Sequence, residues 1–421
     1  MSAGTSGGRR RVSQAELDLL VTAHERFIAG KPGGKRLSLR FADLTKLKLS
    51  ERNLCDADLS GTRFDSCAMI RVRLDRANLF GCDLRRADLR QASLVRADLR
   101  GASLRGANLT QADLTQADFR EGALCLPHPT KGLSLMSHER RVGELDHAIL
   151  SGARLEGAQL NELSAYATDF TDCSMKGVNL AGANLKDADL SGALLEGAEV
   201  TGAILEGAKL RGAVLSGVDV GKARTILGAD LSGCLEEPTK AAVGRVEILV
   251  ERAVGNQSWC ESGGRNGKPA DFAGEDLRPV GARLKGFRLT AMQAKGACLM
   301  GMDLAGAQLQ GANFEGADLR GVNLAHADLR GARLTGANLT KADLRGANLS
   351  CLPLGAGRET PSNLADAALR YATCLGADLT GAVLDRADVR GADFTGARLT
   401  GVSVRETNLN QASGVVLGQA A

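Results

Sequence analysis

The chain has 421 residues, a formal net charge of +4 and only 3% aromatic residues. That charge is too small to announce a nucleic-acid binder by itself. The ten Cys form no CxxC pair and no closely spaced framework, which argues against zinc fingers and secreted disulfide scaffolds.

The chain opens "MSAGTSGGRRRVSQAELDLL". Asp18 interrupts the apolar stretch and no small-residue cleavage site follows, so no leader is expected. No apolar run approaches the roughly 18 to 20 residues of a spanning helix. A cytoplasmic protein in a reducing compartment is the expectation. Residues 1–11 read as a disordered basic tail and 12–36 as a capping helix and turn. Ser13 with Glu16 forms a capping box, and Leu17, Leu20 and Ala23 follow at helical spacing. The turn Gly30 to Gly34 ends the helix.

Residues 37–235 read as a first repeat module. From Ala77 the chain runs "ANLFG CDLRR ADLRQ ASLVR ADLRG", a period of five, and A-[DN]-[LF] triplets occur twenty times overall. Five fits neither the 3.6 period of a helix nor an indefinitely continued strand. It fits a short extended piece followed by a corner. The Leu or Phe (the centre) and the small residue two before it then point inward, and the polar residue between them points out. Gly is frequent two residues after the centre, where a type II turn needs φ > 0. Centres run from Leu39 to Leu124, then from Leu150 to about Val220 with a shifted outlier at Leu231. The break, 125–147, reads as a loop. Phe64, Met69, Phe119, Phe170 and Phe314 substitute for Leu at centres, and Cys67, Cys82 and Cys173 stand at small positions as small hydrophobes.

Residues 236–269 read as a second capping helix and turn, and 270–421 as a second module with a loop at 352–361. Its centres run from Leu284 to Leu349, after outliers at Phe272 and Leu277, and then from Leu364 to Leu409. Setting Phe27 on Trp259, the only Trp, lays "FIAGKPGGKRLSL" over "WCESGGRNGKPADF" with one gap. The pair is therefore a candidate structural cap, and the whole unit reads as duplicated. A solenoid needs such caps, because an open end exposes apolar cross-section and unpaired edges. No helix follows Leu409, so the C-terminal end is left to its own tail or to a second subunit of a homo-oligomer.

These triplets and their period resemble the pentapeptide-repeat family over roughly three quarters of the chain. The resemblance implies a mainly β fold: a right-handed quadrilateral parallel β-helix, four repeats per coil, with short capping α-helices. It also implies an alternative function. Quinolone-resistance members of the family are thought to mimic DNA and bind DNA gyrase through a strongly negative rod.

No HExxH, GxSxG, P-loop or kinase motif is present, and the Gly-rich "ESGGRNGK" lacks the GK[ST] ending of a phosphate loop. His128, His138 and His147 match no metal spacing. A non-enzymatic chain with no cofactor, no metal and no small-molecule substrate is expected. Stacked coils make residues 20 apart neighbours. Glu156, Lys176 and Glu196 then alternate in charge, whereas Thr45, Asp65, Arg85 and Arg105 put two arginines side by side. Residues 1–124 sum to +7, 125–235 to −4 and the remainder to +1. Lys46, Arg63, Arg85, Arg86 and Arg105 form the candidate binding face for an acidic protein partner. The expected function is thus an interaction scaffold. Only the −4 segment, with Glu162, Glu199 and Asp219, offers a DNA-like face. Direct binding of nucleic acid or an anionic membrane through the Arg face and "GGRRR" would be salt-sensitive, and few aromatics are there to stack on bases.

Overall fold

The computed structural model describes residues 9–128 and 132–417. The chain divides into two compact units, Met1–Glu237 and Pro238–Ala421, each with its own apolar core.

In the first unit, parallel bridges join residues twenty apart, such as Asp58 to Asn78 and Asn78 to Asp98. One coil is therefore four five-residue repeats. Each repeat contributes a single bridging residue, the one between the small residue and the centre, which is polar in most repeats. The solenoid is thus held by isolated bridges and not by long strands. The inward Leu and Ala stack into a core in which Phe64, Phe119 and Phe170 are fully buried. Each buried Leu contributes on the order of 1.5–3 kcal/mol. The Cys67 thiol donates to the Leu44 carbonyl at 2.9 Å, and burial pushes its pKa up to about 12. It stays a neutral thiol there.

The corners follow the expected turn, but not its expected residue. Ala77 N–H donates to the Leu74 carbonyl at 3.0 Å across Arg76, which has φ 56°. Gly occupies many equivalent positions, yet Arg, Gln, Asp and Glu hold φ > 0 at others. One reason is visible at Glu162, whose carboxylate lies over Gly182 of the next coil. A Cβ on Gly182 would stand 2.3 Å from that carboxylate. Glycine in one coil makes the seat for a side chain in another.

Helix α1 (Gln14–Ile28) covers the first coil. Ser13 Oγ accepts from Glu16 N at 3.2 Å, completing the cap at the position expected. The inward stripe is Leu17, Val21 and His24, not Leu17, Leu20 and Ala23. His24 turns inward because both ring nitrogens find partners there. The N-terminal residues ahead of the helix correct a second expectation. Arg11 bridges Asp43 in parallel, and Val12 N–H donates to the Asp43 carbonyl at 3.1 Å. Arg9 to Arg11 are thus an ordered arm paired on the first coil, while residues 1–8 lie outside the described residues.

The first interruption is a hairpin, β1 (Gly122–His128) with β2 (Gly132–Arg141), antiparallel with a register shift at Pro127/His128. Leu124 pairs with Glu139 in it and is no longer a solenoid centre. Stacking resumes at once: Ser103 bridges Glu144, 41 residues on, and Leu145 is the next buried centre. The expected loop 125–147 therefore starts too late and ends too late. His147 belongs to the coil, edge-on to Tyr166 at 5.3 Å. The side chains of His128 and His138 lie outside the described residues. Near the end of the unit a 3-10 turn, Val220–Lys222, adds one residue. Cys234 Sγ consequently reaches the carbonyl 24 residues back, where Cys67 and Cys173 reach 23. That extra residue is the shift seen at Leu231.

The second unit begins with α2 (Lys240–Gly244) and α3 (Val246–Glu261), separated at Arg245. Leu249, Ala253 and Asn256 face inward, the counterparts of Leu17, Val21 and His24 when Trp259 is laid on Phe27. A 3-10 turn, Arg278–Leu284, separates Leu277 from Leu284 and accounts for the outlying centres. A short hairpin, β3 (Leu352–Gly355) with β4 (Arg358–Thr360), leaves the solenoid, and Leu352 packs over Gly331. The final described bridge is Asp393 to Ser413.

Candidate functional site

On one face of the first unit the bridge column runs Arg11, Asp43, Arg63, Asp83, Ser103, Glu144. Beside it stand Asp65, Arg85, Arg105 and Asp146, joined through Ser66 N to Arg85 O, Arg86 N to Arg105 O and Gly106 N to Asp146 O. The two columns floor a cleft of about 570 Å³. The N-terminal arm supplies Arg9 to its lining, and the last residue of β2 and the one after it supply Arg141 and Val142. Five arginines (Arg9, Arg63, Arg85, Arg105 and Arg141) face two carboxylates, Asp83 and Glu144.

The floor is internally paired. Arg85 Nε and Nη2 donate to the two Asp83 oxygens at 2.7 Å each, and Arg63 Nε reaches the same carboxylate at 3.3 Å. Burial alone would raise the Asp83 pKa, but the hydrogen bonds and charge of Arg85, with Arg63, hold it below the usual carboxylate range. Donating to Asp83 raises Arg85 in turn. Ser103 Oγ donates to Glu144 at 2.7 Å. Arg105 meets Asp146 only at 3.9 Å, an ion pair too long for a hydrogen bond. Arg9 donates to the neutral Gly61 carbonyl. Burial lowers the Arg9 pKa, and the charges of Arg63 and Arg141 add to that. Of the five N–H groups each guanidinium carries, Arg9 spends one on a carbonyl and Arg105 makes only its long ion pair, so the cleft is an electropositive hollow with unspent donors.

Of the five residues read as a binding face, Arg63, Arg85 and Arg105 are brought together in this cleft. Arg86 turns aside to Asp65 at 2.7 Å, and Lys46 stands exposed at a corner. Neither lines it. Sequence reasoning missed Arg9, read as part of a disordered tail, and Arg141, read as loop. The arm had a faint signal, because Val12 supplies an apolar residue just before the Ser13 cap and is buried. Nothing in a five-residue period points to Arg141.

The cap residues also differ from expectation. Phe27 is 45% exposed and Trp259 is half-buried within α3, not beyond it. Phe27 stacks on the outer side of His24 at 6.2 Å, and Trp259 lies against Gly264. The buried polar residue three positions earlier ties each helix to its coil. Leu37 N–H donates to His24 Nδ1 and His24 Nε2 donates to the Cys55 carbonyl, both at 3.0 Å. Ala270 N–H donates to Asn256 Oδ1 at 2.8 Å and Asn256 Nδ2 donates to the Thr290 carbonyl at 3.1 Å.

Chemically the cleft can bind an anion. Its one thiol, Cys82, donates to the Leu59 carbonyl, and burial pushes it up and out of reach of thiolate chemistry. Among the described residues no cluster of His, Cys, Asp and Glu has the geometry to hold a metal, and no helix is long and apolar enough to cross a membrane.

A family model for pentapeptide repeats matches the sequence in eight copies, over residues 38–81, 82–120, 144–177, 173–217, 282–321, 297–336, 312–350 and 362–401. The matched copies leave out the two hairpins and the second cap. Among solved structures, full-length QnrB1, a plasmid-mediated fluoroquinolone resistance protein, is 20% identical, covering 50% of this chain and 89% of its own, with a TM-score of 0.26. HetL, a protein of heterocyst differentiation regulation from the cyanobacterium Nostoc, is 19% identical, covering 94% and 95%, with a TM-score of 0.18. A pentapeptide repeat protein from the Arabidopsis thaliana thylakoid lumen is 31% identical over 28% of this chain and 71% of its own, with a TM-score of 0.13. No curated protein matches the sequence.

Proposed function

We propose that this chain, which belongs to the pentapeptide-repeat family, is a non-enzymatic scaffold that holds an acidic protein partner in the arginine cleft of its first unit. The coil is read as square in section and right-handed, as that membership implies, which gives the partner flat, rigid faces. The observation that carries the reading is the gathering of five arginines from three separate parts of the chain around two carboxylates. A face chosen only for stability would stop at pairing unlike charges coil by coil, as Lys176 does with Glu196 at 3.0 Å and Lys186 with Glu206 at 2.8 Å. The cleft floor makes such a pair too, Arg63 with Asp83 at 3.3 Å, but it also sets Arg85 and Arg105 side by side as like charges and receives Arg9 and Arg141 from outside the repeat.

The same ion pairs weigh against a DNA-mimicking role for residues 125–235. Lysines interrupt the acidic rows, Glu162 lies over a glycine corner, and Asp219 caps the 3-10 turn by accepting from Gly221 N–H. No unbroken negative strip results among the described residues. The test uses a labelled oligoglutamate peptide as the acidic probe on the full-length protein. Joint Arg63→Glu and Arg105→Glu reversal is expected to weaken binding on the order of ten-fold or more, with a steep loss in salt. Lys46→Glu and Arg86→Glu, outside the cleft, should change it by less than about two-fold. Equal losses from both pairs would remove the cleft from the proposal.

A further inference from the structure

The chemistry of the cleft specifies more than "acidic". We infer that its ligand group is a phosphate monoester dianion. The inference rests on the cleft being the partner-binding surface and names the anion that fills it.

Charge makes the first argument. Arg63 and Arg85 already share Asp83, but Arg9 rests on a neutral carbonyl and Arg105 holds Asp146 only at 3.9 Å, so an arriving carboxylate brings one charge and two oxygens to two weakly matched arginines. A phosphate monoester near neutral pH carries about −1.5 to −2 and three acceptor oxygens. Geometry makes the second. Arg85 and Arg105 stand in one column on successive coils, about 4.8 Å apart at the backbone. Two planar guanidinium forks at that separation can address one phosphate from adjacent sides, which is the recognition Arg serves better than Lys. Arg9 and Arg141 stand at the borders of this floor, on segments outside the repeat.

The donors are also available. Asp83 uses two donors of Arg85 and one of Arg63, while Arg105 has its carboxylate only at 3.9 Å and Arg9 spends Nη1 on a neutral carbonyl. Burial first, and then the charges of Arg63 and Arg141, act against the Arg9 charge, and an anion entering beside them relieves that repulsion. At about 570 Å³ the cleft has the size of an ordinary small-ligand site, enough for a phosphorylated side chain or a small phosphate ester.

The experiment is calorimetric titration of the full-length protein at low salt with O-phosphoserine, adenosine monophosphate, inorganic phosphate and glutamate. At least one phosphate compound is expected to bind ten-fold or more tighter than glutamate. Tightest binding of phosphoserine assigns a phosphorylated protein partner, and tightest binding of the nucleotide or of free phosphate assigns a small ligand. Arg105→Gln and Arg9→Gln should each lower the affinity about ten-fold, with circular dichroism unchanged. Affinity should also fall as pH drops below the second phosphate pKa of about 6. Glutamate binding as tightly as phosphoserine, or undiminished affinity in both Gln variants, overturns the inference. If oligoglutamate still binds in an Arg63- and Arg105-dependent way, the scaffold reading survives that failure. If neither anion binds, both fall.

Discussion

His24 is the residue on which most depends for its size. It accepts from one backbone N–H and donates to one carbonyl, so it must be neutral, with the proton on Nε2. Burial lowers its pKa, and Arg36 adds to the lowering. The bond to the Cys55 carbonyl and the charges of Glu25 and Asp56 oppose them without prevailing. Protonating Nδ1 would set N–H against the N–H of Leu37. An unfolded histidine titrates near 6.5. Above that pH both states are neutral and the contribution of His24 is complete. As pH falls below it towards the depressed folded value, the unfolded chain takes a proton that the folded one refuses, and stability is lost. Asn256 makes the same two bonds with an amide that does not titrate. We expect His24→Asn to keep the first unit folded and to flatten the drop in its urea midpoint between about pH 7.5 and about pH 5.5 that this residue causes. His24→Leu leaves two buried backbone groups without partners and should cost about 2–4 kcal/mol at neutral pH. An unchanged midpoint in His24→Leu would mean that the cap is held by Leu17 and Val21 alone.

The hairpin of β1 and β2 tests how modular the solenoid is. Its insertion leaves Arg120 and Glu121 on one side and Gly143 on the other. Deleting Gly122–Val142 would give Phe119-Arg-Glu-Gly143-Glu-Leu145, a repeat of normal length with a small residue two before the centre. The expected outcome is a folded unit with a melting temperature within a few degrees of the parent, and loss of anion binding because Arg141 is gone. A collapse in melting temperature would show that the hairpin base, where Gly122 backs onto Phe80 and the Arg141 carbonyl onto Gly101, supports the coil. The same element shows how much was legible beforehand. Leu44 through Phe119 could be placed because each centre is buried at a fixed interval, and Arg63, Arg85 and Arg105 could be grouped because a twenty-residue coil stacks them. Leu124 could not be excluded. Gly122 and Leu124 repeat the small residue and centre in phase, and only cross-strand pairing with Glu139 removes Leu124 from the series. Where a hairpin folds back is a tertiary choice without a period, so Arg141 left no trace in the pattern. The inward polar residues His24 and Asn256 were passed over for a similar reason: an apolar stripe search skips the positions where a cap is fastened by hydrogen bonds.

Two separate cores, each begun by a helix with the same three inward positions, argue that the chain repeats one plan and that each half carries what it needs to fold. The turns behind the two helices agree. A Cβ on Gly34 would meet Phe27 N at 2.4 Å, and one on Gly267 would meet the Gly255 carbonyl at 2.1 Å, so both turns must cross the helix end without a side chain. Unequal aromatics sit at the matching site, and their exposure ranks them below the buried polar residues in energy. Trp259→Ala should loosen the second unit by about 1–2 kcal/mol, since it removes only half-buried apolar surface. Asn256→Leu should cost more, about 2–4 kcal/mol, for the stranded Ala270 N–H and Thr290 carbonyl. Because Trp259 is the only Trp, its fluorescence reports the second unit alone, while circular dichroism reports both. Urea titrations followed by the two signals should therefore separate. Asn256→Leu moves the fluorescence midpoint, and His24→Leu moves part of the dichroism change while the fluorescence midpoint stays. Should His24→Leu carry the fluorescence transition with it, the two cores unfold as one cooperative body, and the second cap is a repeat of form without independence of folding.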